Sequence, residues 1–178
     1  MEWKTAVGQD SHRFVPEEGD GKHGNAGSGA PCVLGGIIFP DTPPFLANSD
    51  GDVVLHALVR AISGITCREV LGKRADALCR AGITDSSEYL ALALRDLEET
   101  GFGIAHVSFS IEAKKPAIMP RAAEMRARIA SLLGIPPENV GITAMTGEGL
   151  TACGRGEGVS VLCVLTACGD GHSPEPAE

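Results

Sequence analysis

The stretch "GVSVLCVL" at residues 158–165 is apolar on both of the faces that a strand can present. Side chains alternate along a strand, so Val159, Val161, Cys163 and Leu165 share one face while Leu162 and Val164 share the other. Such a strand wants cover on both sides of its sheet. The neighbouring segments supply the rest of that sheet. Trp3–Gln9 and Cys32–Phe39 read as short strands, "VGITAM" (140–145) as another, and "HVSFSIEA" alternates Val107, Phe109 and Ile111 as a half-buried strand does. Three helices are predicted between them. One follows "NSDGD", with Ser49 or Asp50 as cap, acids in its first turn and Val54, Leu55, Leu58 and Ile62 as its buried stripe. A second spans Asp85–Thr100, with capping-box spacing between Asp85 and Glu88, and a third spans Pro120–Leu133, closed by Gly134. The order β-β-α-α-β-α-β-β predicts an α+β fold, a single mixed β-sheet with helices packed on one face.

At 178 residues the chain suits one domain, over residues 1–168, with a flexible Gly-rich loop at 15–31 and a disordered tail at 169–178. His23 falls in that loop and is expected to face solvent. The net charge of −8 argues against nucleic acid as a partner, because a phosphate backbone calls for a basic face. It leaves room for a small anion held by a few local cations. No run approaches ~18 apolar residues and the N-terminal stretch lacks a signal-peptide core, so the expectation is no membrane span and a cytoplasmic, or processed organellar, location. The six cysteines show no C-x-x-C spacing and several lie in apolar segments, as buried free thiols in a reducing compartment do.

Chemistry enters with "QDSH". Asp10 and His12 are two apart, so on a strand they share a face. Two readings stand: a strand-end turn with Asp10 capping amides, or two thirds of a metal site. His56, in "DVVLHAL", is among the few histidines in an ordered segment. It reads either as a satisfied core residue or as the third ligand. Two imidazoles and a carboxylate with an open fourth position are the donor set of a catalytic zinc site. Glu148, in "TGEGL", is by default a solvated surface acid.

Taken together, "DSH", "NSDGDVVLHAL", "ITDSSEYL", "EAKKPAIMP" and "TGEGLTACGRGEG" resemble the 2-C-methyl-D-erythritol 2,4-cyclodiphosphate synthase family, in order and near-correct spacing over roughly residues 5–167. The resemblance implies a homotrimer with sites between subunits, acting on a small CDP-linked substrate. It implies that Asp10, His12 and His56 hold one zinc-type divalent cation per subunit, and that Glu148 holds a magnesium or manganese ion on the substrate's diphosphate. Asn48 and Thr146 then have catalytic positions. Substrate contacts extend to Asp10, Ser11, His12, Ser49, Gly72, the cytidine-cradling run Ala113, Lys114, Lys115, Pro116, Ala117, Ile118 and Met119, then Met145, Gly147 and Arg155. Arg155 and Glu157 resemble charged residues near a trimer axis. The implied reaction is attack of the substrate's own 2-phosphate on its β-phosphorus, expelling CMP, with the metals polarising both phosphates. Ser49 is expected where helix-start amides can meet an anion, and Asp52 as an outer partner of a ligating histidine.

Several positions depart from the family pattern. Asn48 stands for a usual His, Val70 for a ribose-binding Asp, Ala117 for a Lys, Met145 for a Thr and Ala152 for a Phe. Asn48 still donates an amide hydrogen bond but carries no charge. Three functional readings follow: an active synthase, a drifted zinc- or isoprenoid-phosphate-binding module of the same fold, or a zinc phosphodiesterase. No general base beyond the acids of "SDGD" is evident for the third.

Overall fold

A computed structural model describes residues 1–16 and 31–170, so His23, most of the Gly-rich loop and the tail from 171 lie outside the described residues. The main sheet has the order β1-β6-β4-β5, formed by β1 (Glu2–Arg13), β4 (Phe102–Glu112), β5 (Val140–Met145) and β6 (Gly158–Gly169). The β6 strand pairs antiparallel with both β1 and β4, while β4 and β5 run parallel, so the sheet is mixed. The two-faced strand is interior, a place in the strand order that the alternation of its faces does not decide. Its Val159, Val161, Cys163 and Leu165 are fully buried beneath the helices. Leu162 and Val164, on the opposite face, remain 40% and 37% exposed.

Helix α1 (Val53–Thr66) lies over β1 and β6, α3 (Ser86–Glu98) touches α1 and β4, and α4 (Ala122–Leu133) packs on β5. Val54, Leu55, Leu58 and Ile62 are all buried in α1, as the helical spacing predicts. Asp85 caps α3, accepting the Ser87 N–H at 2.8 Å, and Gly134 closes α4 in the left-handed conformation. Burial pushes the Cys32 and Cys163 thiols up to about 12, and the Asp52 carboxylate adds to the effect at Cys32. All six cysteines are free.

Three local expectations are corrected. Cys32–Phe39 is not one strand of the sheet but a hairpin, β2 (Cys32–Leu34) and β3 (Ile37–Phe39), forming a separate two-stranded ribbon. Its turn is Gly35-Gly36, both with positive φ, the pair that a tight two-residue turn demands. A further helix, α2 (Lys73–Arg80), lies between the first two predicted helices, where no element is expected; only Ala75 of it is buried, so no apolar stripe announces it. The cap of α1 is Asp52, not Ser49 or Asp50, and its first turn holds no acid. Asp52 Oδ1 accepts the N–H groups of Val54 and Leu55, both at 3.1 Å, and of Gly35 at 2.9 Å. Its Oδ2 accepts Gly36 N–H at 2.6 Å. One fully buried carboxylate therefore starts the helix and fastens the hairpin to it. Asp52 thus acts as a helix cap, and its carboxylate bonds to these backbone amides rather than to a ligating histidine.

Candidate metal centre and adjoining groove

Gly8 decides how near α1 can come to β1. A Cβ built there would lie 2.0 Å from the Ala57 carbonyl oxygen and 2.4 Å from Ala61 N, so only glycine lets the helix backbone rest directly on the strand. Two residues along the same strand face is Asp10, and one residue before Ala57 is His56. The close approach brings them together.

Asp10 Oδ2 lies 3.1 Å from His56 Nδ1 and 3.4 Å from His12 Nε2, and the two nitrogens are 3.0 Å apart. A tetrahedral ion with ligands about 2.0–2.1 Å away spaces those ligands about 3.3 Å apart. The donor set and its separations thus fit a divalent cation of the zinc type, and these three form a possible metal-binding group in the structure. Asp10 and His12 do share a face of β1, and the buried His56 converges on them.

Electrostatics favour the ligating forms. Burial would raise the Asp10 pKa, but the adjoining His56 ring and the charges of His12 and Arg60 outweigh it and hold the carboxyl below its usual range. Burial lowers the His12 pKa, with His56 and Arg60 adding to it against the attraction of Asp10. Arg60 Nε is 3.5 Å from Asp10 Oδ1. Sequence reasoning missed this cation, although it sits four residues after His56 and therefore on the same side of α1.

Beside the triad runs an open groove of about 290 Å³, lined in part by Asn48, Ser49, His56, Arg60 and Gly72. Three of the expected contact residues, Asn48, Ser49 and Gly72, therefore share one hollow with the expected ligand His56. Ser49 enters it on its own account: the first amides of α1 are taken by Asp52, and Ser49 Oγ accepts the Gly51 N–H at 3.2 Å. The expectation of free helix-start amides at Ser49 is corrected accordingly. Val70 is fully buried in the core and presents nothing to a ligand. Ser11 alternates onto the opposite, exposed side of β1.

The remaining expected residues lie elsewhere in the chain. Asp10, Val161, Ile111 and Ala144 are paired in one row across the sheet. Three strand spacings, about 14 Å, thus separate the triad's strand from β5, which leads into the Glu148 loop. In that loop Thr146 Oγ1 donates to Glu148 Oε1 at 2.9 Å, and Gly147 and Glu148 both have positive φ. Ala113 N–H donates to Met145 O at 3.0 Å and Lys114 N–H to Cys153 O at 3.3 Å, tying the run Ala113–Met119 to the same loop. Within that run Ala113 and Ile118 are buried, Met119 is exposed, and Lys115, Pro116 and Ala117 line a second hollow of about 320 Å³ with Phe39, Asp41 and Arg121. Arg155 Nε donates to Glu157 Oε1 at 2.9 Å at the surface. The Glu148 loop therefore follows the edge strand opposite to the triad's, while Lys115 of the run Ala113–Met119 reaches back to within 5.8 Å of the Phe14 ring at the end of β1.

The sequence pattern of the YgbB family matches residues 3–168. The chain belongs to the YgbB family. A relative from Chlamydia trachomatis serovar L2b, named 2-C-methyl-D-erythritol 2,4-cyclodiphosphate synthase, is 49% identical over 168 residues, 93% of this chain and 89% of the relative. The fold matches the bifunctional IspDF from Campylobacter jejuni with a TM-score of 0.76 at 27% identity, covering 93% of this chain and 42% of that protein. It matches a 2C-methyl-D-erythritol 2,4-cyclodiphosphate synthase from Plasmodium vivax at 0.74 and 23% identity, a likeness of fold, over 95% and 99% of the two chains. The curated relatives of this family member are thus synthases, and the α+β fold is that of the enzyme.

Proposed function

We propose that this chain is a working 2-C-methyl-D-erythritol 2,4-cyclodiphosphate synthase, a CMP-releasing, cyclising phosphorus–oxygen lyase. The observation that carries the reading is the convergence of Asp10, His12 and His56 beside a groove that His56 lines together with Asn48, Ser49 and Arg60. Zinc held by the triad, and a magnesium or manganese ion at Glu148, would supply Lewis-acid charge neutralisation to the two phosphates. The chain's own groups do the rest. The Asn48 amide and the Ser49 hydroxyl can donate to phosphate oxygens in the groove, and the Arg60 guanidinium provides fixed positive charge beside Asp10. Held in line, an oxygen of the substrate's 2-phosphate forms a bond to the β-phosphorus. The bridging P–O bond breaks, and its electron pair leaves with CMP. No protein nucleophile and no water take part.

The strand order, with the triad's β1 and the Glu148 loop's β5 at opposite edges, supports a homotrimer with shared sites. Glu148 and Thr146 follow β5, three strands away from the strand that carries Asp10 and His12, and a neighbouring subunit can bring its copy of one edge to the other. The uncovered sheet face, with Trp3, Val7, Leu162 and Val164 exposed, is apolar enough to be buried by such assembly. Among the described residues no helix is long and apolar enough to cross a membrane, in keeping with a cytoplasmic enzyme. The net charge of −8 and the small groove likewise leave a small-molecule partner and no nucleic acid.

Incubating the purified protein with 4-CDP-2-C-methyl-D-erythritol 2-phosphate, zinc and magnesium tests the proposal. CMP should form, and Glu148→Gln should slow its release by about two orders of magnitude, the scale of one preorganised electrostatic contact. No CMP from the wild type would favour the drifted binding module instead.

A further inference from the structure

The two ring nitrogens of His56 have different neighbours. Nδ1 faces Asp10 and His12; Nε2 lies 2.9 Å from Ser86 Oγ. Ser86 is fully buried, and its hydroxyl has a single proton to give. Asp50 is placed to take it. Its Oδ1 accepts the Ser86 hydroxyl in a short hydrogen bond, and its Oδ2 accepts the Ser86 backbone N–H at 3.0 Å. Asp50 is itself fixed, donating its N–H to Thr84 O at 2.9 Å and accepting the Asp52 N–H at 3.1 Å.

A hydroxyl that has donated to a carboxylate shows only lone pairs to its other neighbour. Nε2 of the neutral His56 ring must then be the N–H donor, which leaves Nδ1 with a bare lone pair aimed at the point where Asp10 and His12 converge. We propose that Asp50 and Ser86 are positioning residues that fix His56 in its metal-ligating tautomer and thereby set the affinity of the site for a divalent cation. The inference rests on the metal reading of the triad given above. It adds a chain from the loop before α1, through the first residue of α3, to a ligand on α1. The junction of the two helices and the readiness of the site thus depend on the same three side chains.

The test uses the full chain stripped of metal. Zinc affinity is read by competition with a chromophoric chelator, and the His56 tautomer by long-range 1H–15N correlation. The wild type should bind one zinc per chain and show His56 as the Nε2–H tautomer. Ser86→Ala should weaken zinc binding about 10- to 100-fold, the range for loss of an outer partner of a ligating histidine, and Ser86→Thr should restore most of it. Asp50→Asn should weaken binding at least as much as Ser86→Ala. A carboxamide can donate to Ser86 Oγ, turning the hydroxyl proton toward Nε2 and the ring toward the Nδ1–H form. Unchanged zinc affinity in folded Ser86→Ala and Asp50→Asn overturns the proposal, as does an Nδ1–H tautomer in the metal-free wild type. A wild type that binds no zinc, yet shows the Nε2–H tautomer, refutes the metal reading itself and is told apart by that spectrum. Should a variant fail to fold, the wild-type tautomer still decides.

Discussion

Replacing Gly8 with alanine should disable the metal site from beneath. The new methyl would meet two backbone atoms of α1, the Ala57 oxygen at 2.0 Å and the Ala61 nitrogen at 2.4 Å, and no flexible side chain is in the way to yield. Ordinary contact begins near 3.4 Å, so the helix must withdraw from β1 by at least about 1.4 Å. Overpacking of this kind costs about 1–3 kcal/mol, here toward the upper end because backbone must move. The functional consequence is larger than the loss of stability. His56 travels with the helix while Asp10 stays with the sheet, and metal–ligand distances tolerate only about 0.2 Å. Zinc affinity of Gly8→Ala should therefore fall by at least about 100-fold, with a urea midpoint lowered in proportion to the stability loss. Chelator competition and urea denaturation measure the two. A Gly8→Ala protein that binds zinc as tightly as the wild type would refute the claim that this contact sets the site.

Other consequences follow from the same structure. Asp52→Ala removes the acceptor of four backbone N–H groups at a fully buried point, and should cost about 3–5 kcal/mol in urea denaturation; a loss under about 1 kcal/mol would show that the hairpin is held otherwise. Asp96 is held below the usual carboxylate value of 3.8 by its hydrogen bond to Arg74, against the opposing effect of burial and with further help from the charges of Arg74, Arg68 and Arg95. Its stabilising contribution is therefore complete above 3.8 and lost as pH falls through the lower folded value. Asp96→Asn should lower stability by about 1–2 kcal/mol at pH 7, discounted for the half-open Arg74, and the gap in melting temperature should close at strongly acidic pH. A gap that persists there would place the effect elsewhere. Light scattering should give a mass near three chains at micromolar concentration, and a mass near one chain would contradict shared sites.

What could be read from the sequence was what periodicity and pairing rules control. The spacing of Val159, Val161, Cys163 and Leu165 marked the buried face of β6, and the spacing of Val54, Leu55, Leu58 and Ile62 oriented α1. The hairpin was hidden because Gly35-Gly36 lies inside an apolar run, where a two-residue turn leaves almost no polar signature. Helix α2 was hidden because eight residues with one buried alanine make no stripe. At the site, the same-face rule gave Asp10 with His12. The closure on His56, however, depends on a helix resting on Gly8, a tertiary contact that no local pattern encodes. Ser86 carried no signal of its own beyond following a cap residue. The separation of Glu148 from the triad is equally invisible in one dimension, since it follows from a strand order that is not the chain order.

The central claim is an intramolecular phosphoryl transfer, and the fate of solvent oxygen tests it most directly. The wild-type protein is incubated with 4-CDP-2-C-methyl-D-erythritol 2-phosphate, zinc and magnesium in water enriched in 18O, and both products are weighed by mass spectrometry. The 2-phosphate is the nucleophile in this account, so CMP and a cyclic diphosphate should appear in equal amounts, neither carrying label. A linear product or CMP bearing one solvent oxygen would mean that water is the nucleophile and the chain a phosphodiesterase, and the account would be wrong.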